Sequence, residues 1–219
     1  MTIDLTTEAI AELGARELIS ALQRLRRLQP DDPALARLDI DAVAKGIDPK
    51  KLDEDEFADL LDALVALADN AAHLDLSAMD ARDFARVISR ASKGQVEAVT
   101  TRPGLRERVL DEVFHRMETH FRSERAGSTR AVVHLQLTGG FGEDGLDSYE
   151  VVIENAQCAI TKGATREPRA TVTVGPVEFL KLATGNASAP VLFMTGKLKV
   201  KGDLGFAAGF MSLFNIPKA

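Results

Sequence analysis

The chain has 219 residues, 45% of them hydrophobic and 27% charged, a composition that supplies one large core or two small ones and excludes a disordered polymer. Its net charge of −6 is unevenly shared: residues 1–101 carry 20 acidic against 12 basic side chains (net −8), and the remainder carries 13 against 15 (net +2). Neither part has the strongly basic balance that phosphate backbones demand, so nucleic acid is not an expected partner. The single cysteine, Cys158, cannot form an internal disulfide.

Met1–Arg16 is acidic and amphipathic, unlike the basic-then-apolar start of a secretory leader. No apolar run approaches the length of a membrane span, and Pro217-Lys218-Ala219 is not a Ser-Lys-Leu type of address. The expected compartment is the cytoplasm, where the sequon Asn186-Ala187-Ser188 has no meaning.

In chain order, Thr7 is placed to cap a helix with Ile10, Leu13, Leu18, Leu22 and Leu25 on one stripe and Arg24, Arg26 and Arg27 near its C-terminus, where the helix dipole favours cations. Pro30 and Pro33 break it. A short helix through Val43 stops near Gly46 and Pro49. Asp53 followed by Glu56 opens a helix carrying Phe57, Leu60, Leu61, Leu64, Val65 and Ala68. Asp80 with Asp83 opens another, buried through Phe84, Val87 and Ile88, and Ser92 with Gln95 reads as a capping box ahead of Val96 and Val99. The first hundred residues show no strand-like alternation.

Thr101-Arg102-Pro103-Gly104 reads as a domain boundary. Pro103 suits the first turn of a helix reaching to about Arg125, with Leu105, Val109, Val113, Met117 and Phe121 as its stripe. The period then changes to two. Ala131, Val133, Leu135 and Leu137 oppose His134 and Gln136. Tyr149, Val151 and Ile153 oppose Glu150 and Glu154, and Cys158 and Ile160 oppose Gln157, Ala159 and Thr161. Val172 and Val174 oppose Thr171 and Thr173, and Leu198 and Val200 oppose Lys197, Lys199 and Lys201. Five short strands of this kind predict an antiparallel or mixed sheet, wet on one side, with helices around 105–125, 176–184, 190–194 and 204–214 over the other. Leu204–Phe214 holds Phe206, Phe210, Met211, Leu213 and Phe214 and no charged residue, so this helix is either packed core or the wall of a site for something apolar.

Other motifs carry less. Gly140-Phe141-Gly142-Glu143-Asp144-Gly145 matches G-x-G-x-x-G but is followed by a strand, where a dinucleotide site needs a helix, so it reads as a hairpin loop. Glu112-Val113-Phe114-His115 is a single E-x-x-H with no second copy, and His115 lies off the apolar stripe. His73, His115, His120 and His134 have no metal-ligand spacing. Cys158 has no base beside it, and Ser148 and Ser212 lack a G-x-S-x-G setting. No catalysis, no metal and no cofactor are therefore expected. Lys197, Lys199 and Lys201 can protect an exposed strand edge, or dock transiently to an anionic membrane.

From about Val109 to the end, roughly half the chain, the sequence resembles the sterol carrier protein type-two family. The resemblance rests on the helix Val109-Leu110-Asp111-Glu112-Val113-Phe114, the strand Val132-Val133-His134-Leu135-Gln136-Leu137 with its glycine loop, and Val172-Thr173-Val174 leading into Pro176–Gly185. It rests most on Phe193-Met194-Thr195-Gly196-Lys197-Leu198-Lys199-Val200-Lys201-Gly202-Asp203 running into the apolar helix. It implies an α+β fold in which a five-stranded sheet is covered on one face by helices, with a lipid-binding tunnel between them.

Carried over by position, the tunnel would be bordered by Phe179, Leu182, Phe193, Met194, Leu198, Phe206, Phe210, Met211 and Phe214. The expected arrangement is a helical domain over 1–101, of unassigned role, and a sterol-carrier-like domain over 102–219. The expected function is non-catalytic binding of a lipid or other hydrophobic ligand (sterol, fatty acid or acyl-CoA), with transfer as its extension. The alternatives are a protein-interaction module with a collapsed tunnel, recruiting its partner through the acidic helical half, and an accessory domain for lipid-metabolising enzymes. Burying a chain of about sixteen carbons at ~0.8 kcal/mol per CH₂ releases on the order of 12 kcal/mol, against association costs of at least ~4 kcal/mol, so micromolar or tighter binding needs no charged anchor.

Overall fold

The computed structural model describes residues 13–29, 32–33, 35, 38, 40–70 and 79–215. The chain divides into two compact units, one ending at Glu112 and one beginning at Val113. The division falls inside a helix whose N-terminus is at the Pro103 expected to open it.

The first unit is built from α1 (Ala15–Leu25), α2 (Ile40–Gly46), α3 (Glu54–Asn70), α4 (Ala81–Arg90), α5 (Lys93–Thr100) and the N-terminal part of α6 (Pro103–Thr119). Its described residues contain no strand. Thr7 and Ile10 lie outside the described residues, and the described part of the first helix has Gly14 as its N-cap. Leu18, Leu22 and Leu25 are buried along α1, and Phe57, Leu60 and Leu64 along α3.

Asp53 caps α3 reciprocally with Glu56: each backbone N–H donates to the other's carboxylate, at 2.8 and 3.1 Å. Ser92 and Gln95 make the expected capping box on α5. Gln95 does more than its spacing suggested. It is buried, and its amide also donates to the carbonyls of Pro49 (2.7 Å) and Leu52 (2.8 Å), satisfying a short 3₁₀ turn. Arg86 likewise reaches the carbonyls of Ala44 (2.7 Å) and Ile47 (3.0 Å), covering the C-terminal end of α2 where orphan acceptors gather.

The second unit begins in the last turns of α6. The expected continuation of that helix to Arg125 is corrected. It ends at Thr119, and a separate turn, α7 (Ser123–Ala126), follows. Phe121 forms a β-bridge with Phe214: Arg122 N–H donates to Leu213 O (2.7 Å) and Asn215 N–H to His120 O (2.7 Å). Backbone groups that would have extended the helix are taken by the C-terminal segment.

The sheet then forms from β1 (Ala131–Thr138), β2 (Leu146–Glu154), β3 (Gln157–Lys162), β4 (Ala170–Val174) and β5 (Leu198–Gly202) in the order β3-β2-β1-β4-β5. Only the β1–β4 pair is parallel, so the sheet is mixed. The G-x-G-x-x-G segment is the β1–β2 hairpin connection, with Asp144 and Gly145 at positive φ. α8 (Pro176–Ala183), α9 (Ala189–Met194) and α10 (Leu204–Phe210) complete the unit. On the apolar face, Phe114 of α6 meets Tyr149 of β2 and Phe179 of α8, with ring centroids 4.0 and 5.1 Å apart.

The polar face departs from a uniformly wet surface. Register sets Lys201, Thr171, His134, Glu150 and Thr161 in one row across it. The centre of that row is covered: His134 is only 9% exposed and Glu150 only 4%. The cause is the β3–β4 connection, which must pass across two strands in the seven residues 163–169. Three strand gaps of about 4.8 Å amount to about 14 Å, within the ~23 Å that seven extended residues can reach, so the connection is held against the sheet by bonds and not by its length.

Glu150 holds that crossing. Its carboxylate accepts from the N–H of Arg166 (2.7 Å) and of Thr165 (2.8 Å), and from the Thr165 hydroxyl (3.2 Å). The Arg166 backbone bond is the main reason its pKa is held below the usual carboxylate range. His134 Nε2 lies 3.5 Å from the same carboxylate, at the limit of hydrogen bonding.

A carboxylate with a depressed pKa contributes stability that is present above the ordinary carboxylate range and lost as pH falls through its folded-state value. Acid melting of the wild type should therefore show a falling limb at low pH. Glu150→Gln should melt lower at neutral pH and show a shallower acid limb. Equal neutral-pH melting temperatures for the two proteins would contradict this role for Glu150.

Candidate functional site

Within the second unit, a cavity of about 330 Å³ lies between the sheet's apolar face and the helices following β4. Its floor is Leu135 of β1, Val172 and Val174 of β4, and Leu198 and Val200 of β5. Strand alternation points each of these side chains to one face. One wall is Phe179 and Leu182 of α8. The opposite wall is Leu204, Ala207, Ala208 and Phe210 of α10 with the following Met211. Ala189, Pro190, Phe193 and Met194 of α9 complete the lining. Phe193, Met194 and Leu204 are exposed as well as lining, which marks the mouth.

Every lining side chain is aliphatic, aromatic or a thioether. None carries a hydrogen-bonding nitrogen or oxygen. Such a lining gives an entering water no side-chain partner, and the cavity's size lies at the lower end of the ~300–1,000 Å³ usual for small-molecule sites.

Local chemistry explains why the walls stand where they do. Pro176 occupies the first turn of α8, where it loses no hydrogen bond, and Gly175 is the N-cap. α9 ends in a left-handed Gly196 (φ 71°), and the next residue, Lys197, pairs with Glu178 of α8 at 3.4 Å. The turn into α10 depends on Gly202, at φ 87°. A Cβ there would stand 2.5 Å from the carbonyl oxygen of Arg169.

Asp203 then caps α10, accepting from Phe206 N–H at 2.8 Å, and pairs with the Arg169 guanidinium at 2.8 and 2.9 Å. The Phe206 N–H and the Arg169 bond hold the Asp203 carboxylate below its usual pKa. Arg169 also sits 4.3 Å over the Phe206 ring.

Of the nine residues expected to border a tunnel, Phe179, Leu182, Phe193, Met194, Leu198, Phe210 and Met211 line this cavity. Phe206 and Phe214 do not. Phe206 is turned to Arg169, and Phe214 is buried against Phe121 and Phe210 at 5.7 and 5.2 Å. The rest of the sheet floor (Leu135, Val172, Val174 and Val200), Pro190, Leu204 and the small Ala189, Ala207 and Ala208 also line the cavity and were not among the nine. For the floor the signal was present in the strand alternation. The alanines carry no such signal, because they matter for the space they leave.

The other sites weighed on sequence resolve simply. Cys158 is half-buried, and desolvation, followed by the Glu118 carboxylate, pushes its thiol up to about 12, so it is protonated at neutral pH. Glu118 accepts from Ile160 N–H beside it. His115 is exposed, and His73 lies outside the described residues. Among the described residues no group of three or more His, Cys, Asp or Glu side chains is placed to hold a metal, and no helix is long and apolar enough to cross a membrane. An open groove at the other end of the sheet mixes Arg130, Arg166 and Arg169 with Glu154 and Glu167, so it offers no field of one sign.

Comparison with known proteins bears on the second unit. Hydroxysteroid dehydrogenase-like protein 2 of Xenopus tropicalis is 26% identical over 119 residues, which are 54% of this chain and 26% of that protein. The chain thus spans about a quarter of the length of that relative. Among solved structures, apo sterol carrier protein 2 from Yarrowia lipolytica is 26% identical, covers 52% of this chain and 83% of its own, and has a TM-score of 0.34. Palmitated SCP2L2 from Aedes aegypti is 18% identical, covers 49% of this chain and 95% of its own, and has a TM-score of 0.39. Residues 110–215, which are 106 of the chain's 219, match the SCP-2 sterol transfer family, and this segment is a domain of that family.

Proposed function

We propose that the second unit reversibly binds one lipid or other hydrophobic molecule in the cavity between sheet and helices, without catalysing a reaction on it. The observation that carries this reading is the wholly apolar lining of an open cavity of about 330 Å³. Burying the chain of a fatty acid, or the rings of a sterol, there would release about 0.8 kcal/mol per methylene-sized group. With no polar side chain in the lining, the polar end of an amphiphile would stay at the mouth, and the site would select for the length and girth of the apolar part. No acid, base or nucleophile lies on the lining, which is why binding is favoured over chemistry.

A second reading, an accessory domain serving a lipid-modifying enzyme, is favoured by one finding. The matching region makes up 26% of a longer dehydrogenase-like relative. Both readings use the same cavity and differ in who receives the ligand.

Two substitutions test the site. Ala208 is exposed and lines the cavity, so Ala208→Trp should fill the opening while changing apo-protein stability by only about 0.5 kcal/mol. Affinity for a fluorescent fatty acid should fall at least about tenfold, or ~1.4 kcal/mol. Unchanged affinity would place the ligand elsewhere. Phe210 is 2% exposed, packs on Phe214 and faces the cavity with its other side. Phe210→Ala should cost about 3 kcal/mol, the low end of the range for this truncation, and should alter affinity in the folded fraction. A larger stability loss with unchanged affinity would mean that the residue is packed core alone.

A further inference from the structure

We infer that Met194 is a site of oxidative modification by hydrogen peroxide, and that one oxygen added to its thioether lowers the affinity of the cavity for its hydrophobic ligand. This rests on the lipid-binding reading above and adds to it a chemical control of the same site. Four large apolar side chains are exposed at the mouth, Val191, Phe193, Met194 and Leu204, and Met194 is the most exposed of them at 82%. It is also the one with a reactive atom, since the other three are hydrocarbon. Met194 is the last residue of α9, between the buried Leu192 and the left-handed Gly196. Its side chain lines the cavity while standing largely in solvent. Among the described residues no other sulfur combines these two properties. Met79 and Met117 are buried, and Met211 lines the cavity from a half-buried position. The Cys158 thiol is half-buried and protonated at neutral pH, so it does not compete as a thiolate.

The reaction balances with the peroxide alone. A sulfur lone pair attacks one peroxide oxygen, an S–O bond forms as the O–O bond breaks, and the hydrogen on the transferred oxygen passes to the departing one, which leaves as water. Sulfur is oxidised by two electrons and the peroxide is reduced by two. The product is a polar, chiral sulfoxide in place of a flexible apolar thioether. Exposure decides what that change does. In the empty protein a sulfoxide at this position stays hydrated, so the fold loses little. With a ligand in place the same side chain packs over an apolar molecule at the mouth. There the sulfoxide oxygen must give up water, and no side chain of the lining can donate to it. The cost therefore falls on the bound state and is read as lost affinity.

The test treats the full chain with hydrogen peroxide and removes the excess with catalase. Mass spectrometry then locates the added oxygen, and apo-protein melting and affinity for a pyrene-labelled fatty acid are measured on the same samples. Met194 should take up its oxygen before Met211, Met79 and Met117. Once Met194 is converted, affinity should be about tenfold weaker, or ~1.4 kcal/mol, while the melting temperature stays at its untreated value. Methionine sulfoxide reductases acting on both epimers should restore the affinity. Met194→Leu alters the lining, so it is judged only on its own affinities before and after treatment, which should be equal. Earlier oxidation of Met211, unchanged affinity with Met194 fully converted, or the same loss in Met194→Leu would overturn the proposal and leave the cavity reading intact. A melting temperature that falls in step with Met194 oxidation would overturn it too, because the modification would then act on the fold. Failure of the untreated protein to bind the probe would overturn the cavity reading itself, and this proposal with it.

Discussion

The second unit turns on one corner, where the chain leaves β5 and enters α10. Gly202 takes a positive φ next to the Arg169 backbone, a spot with no room for a Cβ. Asp203 then faces two ways. It caps the helix through Phe206 N–H and binds the Arg169 guanidinium, while its own N–H donates to Arg169 O at 3.0 Å. This fixes the line along which an uncharged helix crosses the sheet. With Ala207 and Ala208 on its cavity side, that helix stands off the floor and leaves the space filled elsewhere in the unit by Phe114, Tyr149 and Phe179. A cavity beside a packed core is a difference in side-chain volume on one continuous apolar face.

That corner also gives physical content to the residue string on which the family resemblance rested. In Met194-Thr195-Gly196-Lys197 the glycine ends α9 in the left-handed conformation and the lysine ties that end to Glu178. In Gly202-Asp203 the glycine permits the close approach and the aspartate starts the next helix. Met194 lines the cavity, the glycines, Lys197 and Asp203 set backbone direction or helix position, and none supplies a polar contact inside the cavity. The resemblance could therefore indicate a fold and a cavity without indicating a ligand.

Much of the fold was legible because its signals are periodic and local. The five strands follow period-two alternation, and capping pairs such as Asp53–Glu56 and Ser92–Gln95 start helices where their spacing says. What stayed hidden depended on partners distant in sequence. The helix after Pro103 ends early because residues 213–215 take its neighbours' backbone bonds. Glu150 and His134 alternate onto a polar face and are nonetheless buried, because the β3–β4 connection crosses over them and is bonded to Glu150 through the N–H groups of Thr165 and Arg166. Within the site, large side chains on an uncharged helix pointed to Phe210 and Met211 but equally to Phe206 and Phe214, and only the position of Arg169 and the 121–214 bridge separates the two pairs.

The cavity's chemistry is one of omission: no side-chain donor, acceptor or charge, with its widest exposure at the α9 rim. A site of this kind holds its ligand by burial alone, which suits exchange more than permanent storage. The central claim is that a hydrophobic molecule occupies this space. Native mass spectrometry of the protein as purified tests it most directly. The expected result is a population carrying one lipid-sized adduct per chain, released on denaturation and recovered by solvent extraction. A bare chain mass in every preparation, with no adduct after incubation with fatty acid or sterol, would contradict the account.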